Sequence, residues 1–245
     1  MSKLETRAEI ARLAALLRVS EAHLAFIAHH DLETLRSLRD QVTDRLFDAD
    51  RNVLEAIAKA NSMVPGSVSS KIAVKAFPPS LAARVAGVLG TDKAIDMARR
   101  VPVTYLADLA PHLDPRRVTA ILEKLPTQLL VDAGKILGER GEYIAMADFV
   151  GVLDDDQIAR VIPVLSDEAL VRTGLVIEDP RRIAAILTML PPDRLAGVVT
   201  TAARVGQWDG IRRAIEHFDS DTRDALVDVA RDLDGVPDDV LAVFS

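Results

Sequence analysis

A thirteen-residue phrase occurs twice in this chain, 65 residues apart. Residues 114–126 read DPRRVTAILEKLP and residues 179–191 read DPRRIAAILTMLP, so nine of the thirteen positions are identical. Similarity at a fixed period is the signature of a repeat architecture, in which each unit stacks on the next because it cannot bury its apolar face alone. The sequence therefore predicts two repeat units, 114–178 and 179–243.

Each phrase has the composition of a helix followed by a tight reversal. Asp114 is suited to the N-cap and Pro115 to the first helical position. Apolar residues then follow at spacings of three, four and seven, which place them on one helical face: Val118, Ile121, Leu122 and Leu125. Pro126 ends this helix and can begin the next, so we expect each phrase to form a helical hairpin.

Similar junctions between helices occur in the rest of the chain, and no segment has the pattern of a strand. Apolar residues stand directly before proline at Val64, Phe77 and Val101. These junctions are roughly 12 to 25 residues apart, which fits short helices joined by tight turns. Aromatic residues make up only 4% of the chain, so Ala, Val, Leu and Ile must build the core, and an Ala- and Leu-rich mixture favours helix.

Residues 1–62 differ from the remainder of the chain. Their apolar pattern predicts longer helices, at about 4–18, 20–30, 31–47 and 48–60. A turn-rich stretch near residue 62 separates this N-terminal helical segment from a helical repeat region, 63–245. The linking stretch is short, and we therefore expect an all-α protein in which a few longer N-terminal helices pack on a solenoid of short hairpins.

The leucine-containing junctions resemble those of a known family. They read HLDP at 112–115, KLPTQL at 124–129, VLSDE at 164–168 and MLPPDRL at 189–195. This succession is similar to the cytoplasmic N-terminal superhelical domain of MgtE-type magnesium transporters, and to the FliG-like helical repeats of the flagellar motor switch. The resemblance implies a right-handed α-superhelix. It carries over no transport activity, since we expect neither a membrane span nor a regulatory domain in this chain, and no metal-binding residue is mapped from it.

Composition excludes several classes of function. The net charge of −7 disfavours general nucleic-acid binding, because phosphate neutralisation dominates that affinity. The chain has no cysteine, which excludes disulfides and thiolate chemistry. No apolar run approaches the roughly 20 residues of a membrane span, and the first residues lack the layout of a secretory signal. We expect a cytoplasmic protein without a membrane span and without a cofactor.

The arginine pairs of the repeated phrase are the candidate binding residues. They are Arg116, Arg117, Arg181 and Arg182. All lie in the first turn of a helix, where the macrodipole disfavours cations, so something should offset that effect. One interpretation is local salt bridging to Asp114, Asp179 or acids of a neighbouring repeat. The other is a line of equivalent arginines that binds an anion or an acidic protein partner.

Two further features near the N-terminus have a functional and a structural interpretation. His23, His29 and His30 form a cluster, but adjacent histidines point about 100° apart on a helix and cannot readily share one metal ion. An ordinary helix end is favoured there, although a metal site stays open. Residues 10–24 have the sequence pattern of a helix-turn-helix motif, yet their second helix is too apolar and acidic to bind DNA bases.

The sequence contains none of the common catalytic motifs, and no catalytic residue is assigned. We therefore expect a non-enzymatic α-solenoid that acts as a protein-interaction scaffold or regulatory adaptor, with a homodimer as an open alternative. A carrier or sensor of an apolar small molecule or lipid is the second hypothesis. Its ligand would lie inside the superhelix against small aliphatic residues: Ala145, Val150, Val161, Val164, Ile186 and Leu190.

Overall fold

The computed structural model describes residues 3–63 and 66–205, together with residues 217, 218, 220, 223, 224, 226 and 227. All regular secondary structure within this described part is helical, which confirms the all-α prediction. None of its helices is long and apolar enough to cross a lipid bilayer. The C-terminal part of the second repeat, including Trp208 and the Arg212-Arg213 pair, lies outside the described residues.

The helices alternate with tight turns along the described chain. Their bounds are α1 Lys3–Leu17, α2 Leu32–Ser62, α3 Gly66–Ala76, α4 Pro79–Ala86, α5 Thr91–Ala98, α6 Val103–Leu109, α7 Pro115–Leu122, α8 Thr127–Arg140, α9 Tyr143–Val150, α10 Asp155–Val161, α11 Asp167–Gly174, α12 Pro180–Thr188 and α13 Pro192–Val205. Short 3₁₀ helices lie at Glu21–Ile27, Ala110–His112 and Ile162–Val164.

The N-terminal helices depart from the sequence-based prediction at 20–30, where a 3₁₀ helix at Glu21–Ile27 replaces the expected longer helix, and in the middle of α2. The predicted break between 47 and 48 is wrong, because α2 is continuous over 31 residues. No glycine or proline occurs within α2. Phe47 and Leu54 lie seven residues apart on one face, where both are buried in a cluster with Val85 of α4. A continuous helix keeps both side chains in that cluster, so burial favours helix across the expected break.

Packing divides the chain into two compact units, 1–136 and 137–245. The N-terminal segment that the sequence distinguishes, 1–62, lies within the first unit, where α2 packs on α4. Each unit has its own buried apolar residues. In the first they include Leu13, Leu35 and Leu54, and in the second they surround Val199, which is almost fully buried.

Helices α1 and α2 pack on each other, and several later helices pack on the next helix but one. In the first unit, α2 packs on α4, α3 on α5, α4 on α6 and α5 on α7. In the second unit, α9 packs on α11 and α11 on α13. Most of these helix contacts are thus local along the chain. Such locality is typical of folds built by stacking similar helical units.

The helix starts follow the local signals of the sequence. The side chains of Asp114 and Asp179 accept hydrogen bonds from the backbone N–H of Arg116 and Arg181, as N-caps do. A proline follows each aspartate at the first helical position. The repeated phrase therefore begins a helix in the same way in both units, which places its two arginines at the same point of each hairpin.

Candidate functional site

The first arginine of each pair folds back onto the aspartate that caps its own helix. In the first phrase, Nε of Arg116 lies 3.0 Å from Oδ1 of Asp114 and its Nη2 lies 3.0 Å from Oδ2. In the second phrase, the same two bonds join Arg181 to Asp179 at 3.1 and 3.2 Å. Each aspartate thus serves as N-cap and as a bidentate partner of the guanidinium, which offsets the unfavourable placement of a cation in the first turn.

The second arginine of the first phrase reaches the long N-terminal helix. Nη2 of Arg117 donates to Oδ1 of Asp44 at 2.7 Å. Its guanidinium carbon lies 3.7 Å from the centre of the Phe47 ring, which is close enough for a cation–π interaction. Asp44 and Phe47 are both on α2, 73 and 70 residues before Arg117. Arg117 therefore joins α7 to α2.

The second arginine of the second phrase reaches the preceding hairpin instead. Nε of Arg182 donates to the backbone carbonyl of Val150 at 3.1 Å, and its Nη2 donates to that of Leu153 at 2.6 Å. Its Nη1 also pairs with the carboxylate of Asp155. Val150 ends α9 and Asp155 begins α10. Arg182 therefore satisfies carbonyl groups at the end of one helix, which would otherwise need water or another donor.

Two arginines outside the repeated phrase make the same kind of contact. Nη2 of Arg84 donates to the carbonyl of Leu46 at 2.8 Å and to the carboxylate of Asp50 at 2.7 Å. Nη2 of Arg194 donates to the carbonyl of Leu165 at 2.8 Å, and its Nε pairs with Asp167 at 3.0 Å. An arginine joined to a backbone carbonyl and a nearby carboxylate thus recurs in both units. Sequence reasoning did not find Arg84 and Arg194, because single arginines on amphipathic helices carry no distinguishing signal.

Exposure separates the two members of each pair. The side chain of Arg181 is 75% exposed and that of Arg182 is 22% exposed. In the first phrase the difference is smaller, since Arg116 is half exposed and also lies within 3.7 Å of Asp40 and 3.6 Å of Asp44 on α2. Of the four predicted binding residues, Arg181 is therefore the most accessible to another molecule.

Hydrogen bonding governs the titration of these exposed pairs. The bonds from Arg181 hold the pKa of Asp179 below its usual value and raise the pKa of Arg181 in turn. The Asp114 carboxylate raises the pKa of Arg116 in the same manner. All four arginines are cations bound to carboxylates of the chain. An incoming carboxylate or phosphate would have to compete with, or bridge to, those internal partners.

A buried charge cluster near the N-terminus was not anticipated from the sequence. Glu9 of α1 is only 1% exposed, and its carboxylate accepts from Nη1 of Arg12 at 2.8 Å and from Nη1 of Arg39 at 2.9 Å. Arg36 lies nearby, with Nε 3.9 Å from the same carboxylate. The cluster joins α1 to α2 across thirty residues of sequence. Glu9 and Arg12 are three residues apart, a spacing that also occurs on ordinary solvated helix faces.

The three histidines of the predicted cluster contact each other or a neighbouring serine. The rings of His29 and His30 lie 4.2 Å apart in a turn. Nδ1 of His23 lies 2.6 Å from the hydroxyl of Ser20. Within residues 3–63 and 66–205 and the few described residues beyond, no group of three or more metal-ligating side chains is placed to hold an ion.

Residues expected to line a ligand cavity contribute to packing in the second unit. Leu190 is buried in its main core cluster, and Val150 and Ile186 pack against that cluster. Ala145 is also buried, whereas Val164 is 37% exposed.

Comparisons with protein-family models, curated proteins and solved structures found no match to this chain.

Proposed function

We propose that this chain is a non-enzymatic α-solenoid that serves as a protein-interaction scaffold or regulatory adaptor in the cytoplasm. The observation that carries the proposal is the packing of helices on the next helix but one, from α2 to α7 in the first unit and among α9, α11 and α13 in the second. Stacking of this kind supports a superhelix with extended surfaces rather than a single enclosed cleft, and its right hand is what the family resemblance implies. It is also the architecture that the MgtE-type resemblance implies.

The arginine contacts support a structural use of most of the repeated phrase. Arg117 and Arg182 are engaged with other segments of their own units, at Asp44 and at Val150. Arg116 and Arg181 are more exposed, at 48% and 75%, and of their aspartate partners Asp179 is half exposed whereas Asp114 is mostly buried. We propose that each of these outer arginines contributes, on its own unit, to a site that binds an acidic protein partner, and that Arg181 is the main contact.

The alternative, a carrier of an apolar small molecule or lipid, has less support. Its proposed lining includes Leu190, Val150 and Ile186, which pack into the core of the second unit. A ligand there would have to replace existing side-chain contacts. Detection of a stoichiometric apolar ligand by native mass spectrometry of freshly isolated protein would favour the carrier over the scaffold.

The scaffold proposal is tested by capture with matched variants. The tagged chain, Arg181→Glu and Arg160→Glu are each used to isolate partners from native lysate, with quantitative mass spectrometry. Arg160 is exposed on α10 and provides the same charge reversal away from the pair. We expect at least one protein that is recovered equally with wild type and Arg160→Glu and about tenfold less with Arg181→Glu. Equal recovery with all three would exclude Arg181 from the interface, and no reproducible partner for the folded wild type would overturn the scaffold.

A further inference from the structure

Helix α2 presents a regular apolar stripe to solvent along its second half. All members of this α2 stripe, the last of which directly follows the helix, are exposed: Leu46, Ala49, Val53, Ala56, Ala60 and Met63. Val53 is 60% exposed and Met63 is 78% exposed. Successive members are three and four residues apart in alternation, which is the spacing of the a and d positions of a helix seam. The core-facing residues of this part of α2, Phe47 and Leu54, are on another face.

The stripe extends a line of apolar residues along one face of α2, and in the first half of the helix this line is already covered by other residues of the chain. Leu35 and Val42 precede Ala49 by two and one heptads. Both pack in a cluster with Ile10 and Leu13 of α1. Helix α1 therefore covers the line at Leu35 and Val42, and the line is exposed from Leu46 onward. The α2 stripe is thus continuous with a helix–helix interface that the fold itself forms.

We propose that a second copy of this chain covers the α2 stripe, with the two α2 helices antiparallel about a two-fold axis. A two-fold interface must be self-complementary. The stripe meets this requirement when it is paired with a second copy of itself that runs in the opposite direction. An axis between Val53 and Ala56 sets Leu46 against the partner's Met63, Ala49 against the partner's Ala60, and Val53 against the partner's Ala56. Large side chains then flank a central region of small ones, which lets the two helices approach closely.

The position of α1 distinguishes the antiparallel arrangement from a parallel one. In a parallel pair the first halves of both α2 helices would face each other, and two α1 helices would have to fit between them, since α1 covers that same line. In the antiparallel pair, each partner's α2 occupies the part of the line that α1 leaves exposed. The inference goes beyond the proposed scaffold function, because a dimer can form without any other partner.

Oligomeric state tests the first part of the inference. Sedimentation velocity and native mass spectrometry of the full chain should give a dimer at micromolar concentration. Val53→Glu and Ala56→Glu add charge to exposed positions of the stripe, so they should yield folded monomers with unchanged circular dichroism. Ser37→Glu adds the same charge at an exposed position of α2 away from the stripe and should remain dimeric. A monomeric wild type, or stripe variants that stay dimeric, would overturn the inference while leaving the scaffold proposal in place.

Disulfide trapping tests the direction of the helices. The natural chain has no cysteine, so engineered thiols report without background. Mixed Ala49→Cys and Ala60→Cys proteins should form a crosslinked pair under mild oxidation, whereas each protein alone should not. In the antiparallel pair, position 49 lies opposite the partner's position 60 and about 16 Å along the helix from the partner's position 49, which is too far for two copies of one variant to form the bond. Efficient crosslinking of Ala49→Cys alone would indicate a parallel pair and contradict the proposal.

Discussion

Arg182 donates a hydrogen bond to the backbone carbonyl of Val150, whereas its counterpart Arg117 in the first phrase lies over the ring of Phe47. Identical local sequence thus gives the arginine the same position on its own helix, whereas the surrounding fold determines which groups it contacts. The long stem of arginine and its five donors make both uses compatible with one position. The repeated phrase thus begins its helix in the same way in both units, but its second arginine packs against different groups in each.

Removing the guanidinium of Arg182 should destabilise the second unit. Arg182→Ala leaves the carbonyl oxygens of Val150 and Leu153 without these donors in a partly buried setting. Loss of such partners costs roughly 1–3 kcal/mol in the free energy of unfolding. Urea denaturation followed by circular dichroism measures the change. Arg182→Lys should recover only part of it, because an ammonium group lacks the planar fork that reaches two acceptors.

Arg181→Ala is the matched control for that experiment. Its side chain is 75% exposed, and its partner Asp179 keeps its role as N-cap through the backbone N–H of Arg181. Exposed pairs of this kind contribute little, so the change in unfolding free energy should stay within about 0.5 kcal/mol. If Arg181→Ala were as destabilising as Arg182→Ala, the distinction between outer and inner arginines would be wrong.

The carboxyl of Asp179 should titrate below its ordinary value in the folded protein. Hydrogen bonds from Arg181 stabilise the carboxylate and lower its pKa from 3.8. A folded pKa below the unfolded one means that this group stabilises the fold above the unfolded pKa. That contribution is lost as the pH falls through the folded pKa. Carboxyl-carbon NMR should show the Asp179 transition moving to higher pH in Arg181→Ala and staying in place in Arg160→Ala.

Local contacts were predictable from the sequence and long-range ones were not. The caps at Asp114 and Asp179 depend on residues two positions away, so the Asp-Pro-Arg pattern is enough to predict them. The partners of Arg182 lie 27 to 32 residues earlier, and no residue type near Val150 or Leu153 indicates them. The break expected near residue 47 was wrong, because burial of Phe47 and Leu54 in one cluster favours a continuous helix.

Neutralising Glu9 should destabilise the first unit strongly. Glu9 is nearly inaccessible and accepts from both Arg12 and Arg39. Glu9→Gln leaves those guanidinium groups in the cluster without their shared anion, a change that costs about 3 kcal/mol or more when one partner of a buried pair is removed. Glu123→Gln changes an exposed glutamate of the same unit and should alter stability by less than about 0.5 kcal/mol. Equal effects in denaturant titrations would show that the Glu9 cluster contributes no more than a surface charge.

Substituting alanine for two helical glycines should have opposite effects. In α11, a Cβ at Gly174 would meet no atom within 4 Å, so Gly174→Ala should stabilise the protein by roughly 0.5–1 kcal/mol through helix propensity. In α13, a Cβ at Gly197 would lie 3.1 Å from Cγ of Asp167 and closer still to its carboxylate oxygen. That carboxylate pairs with Arg194, so Gly197→Ala must displace it and weaken the link between α11 and α13. Thermal unfolding should therefore give a higher midpoint for Gly174→Ala and a midpoint no higher than wild type for Gly197→Ala. A clear gain for Gly197→Ala would mean that Asp167 moves without loss, and that its pairing with Arg194 contributes little to stability.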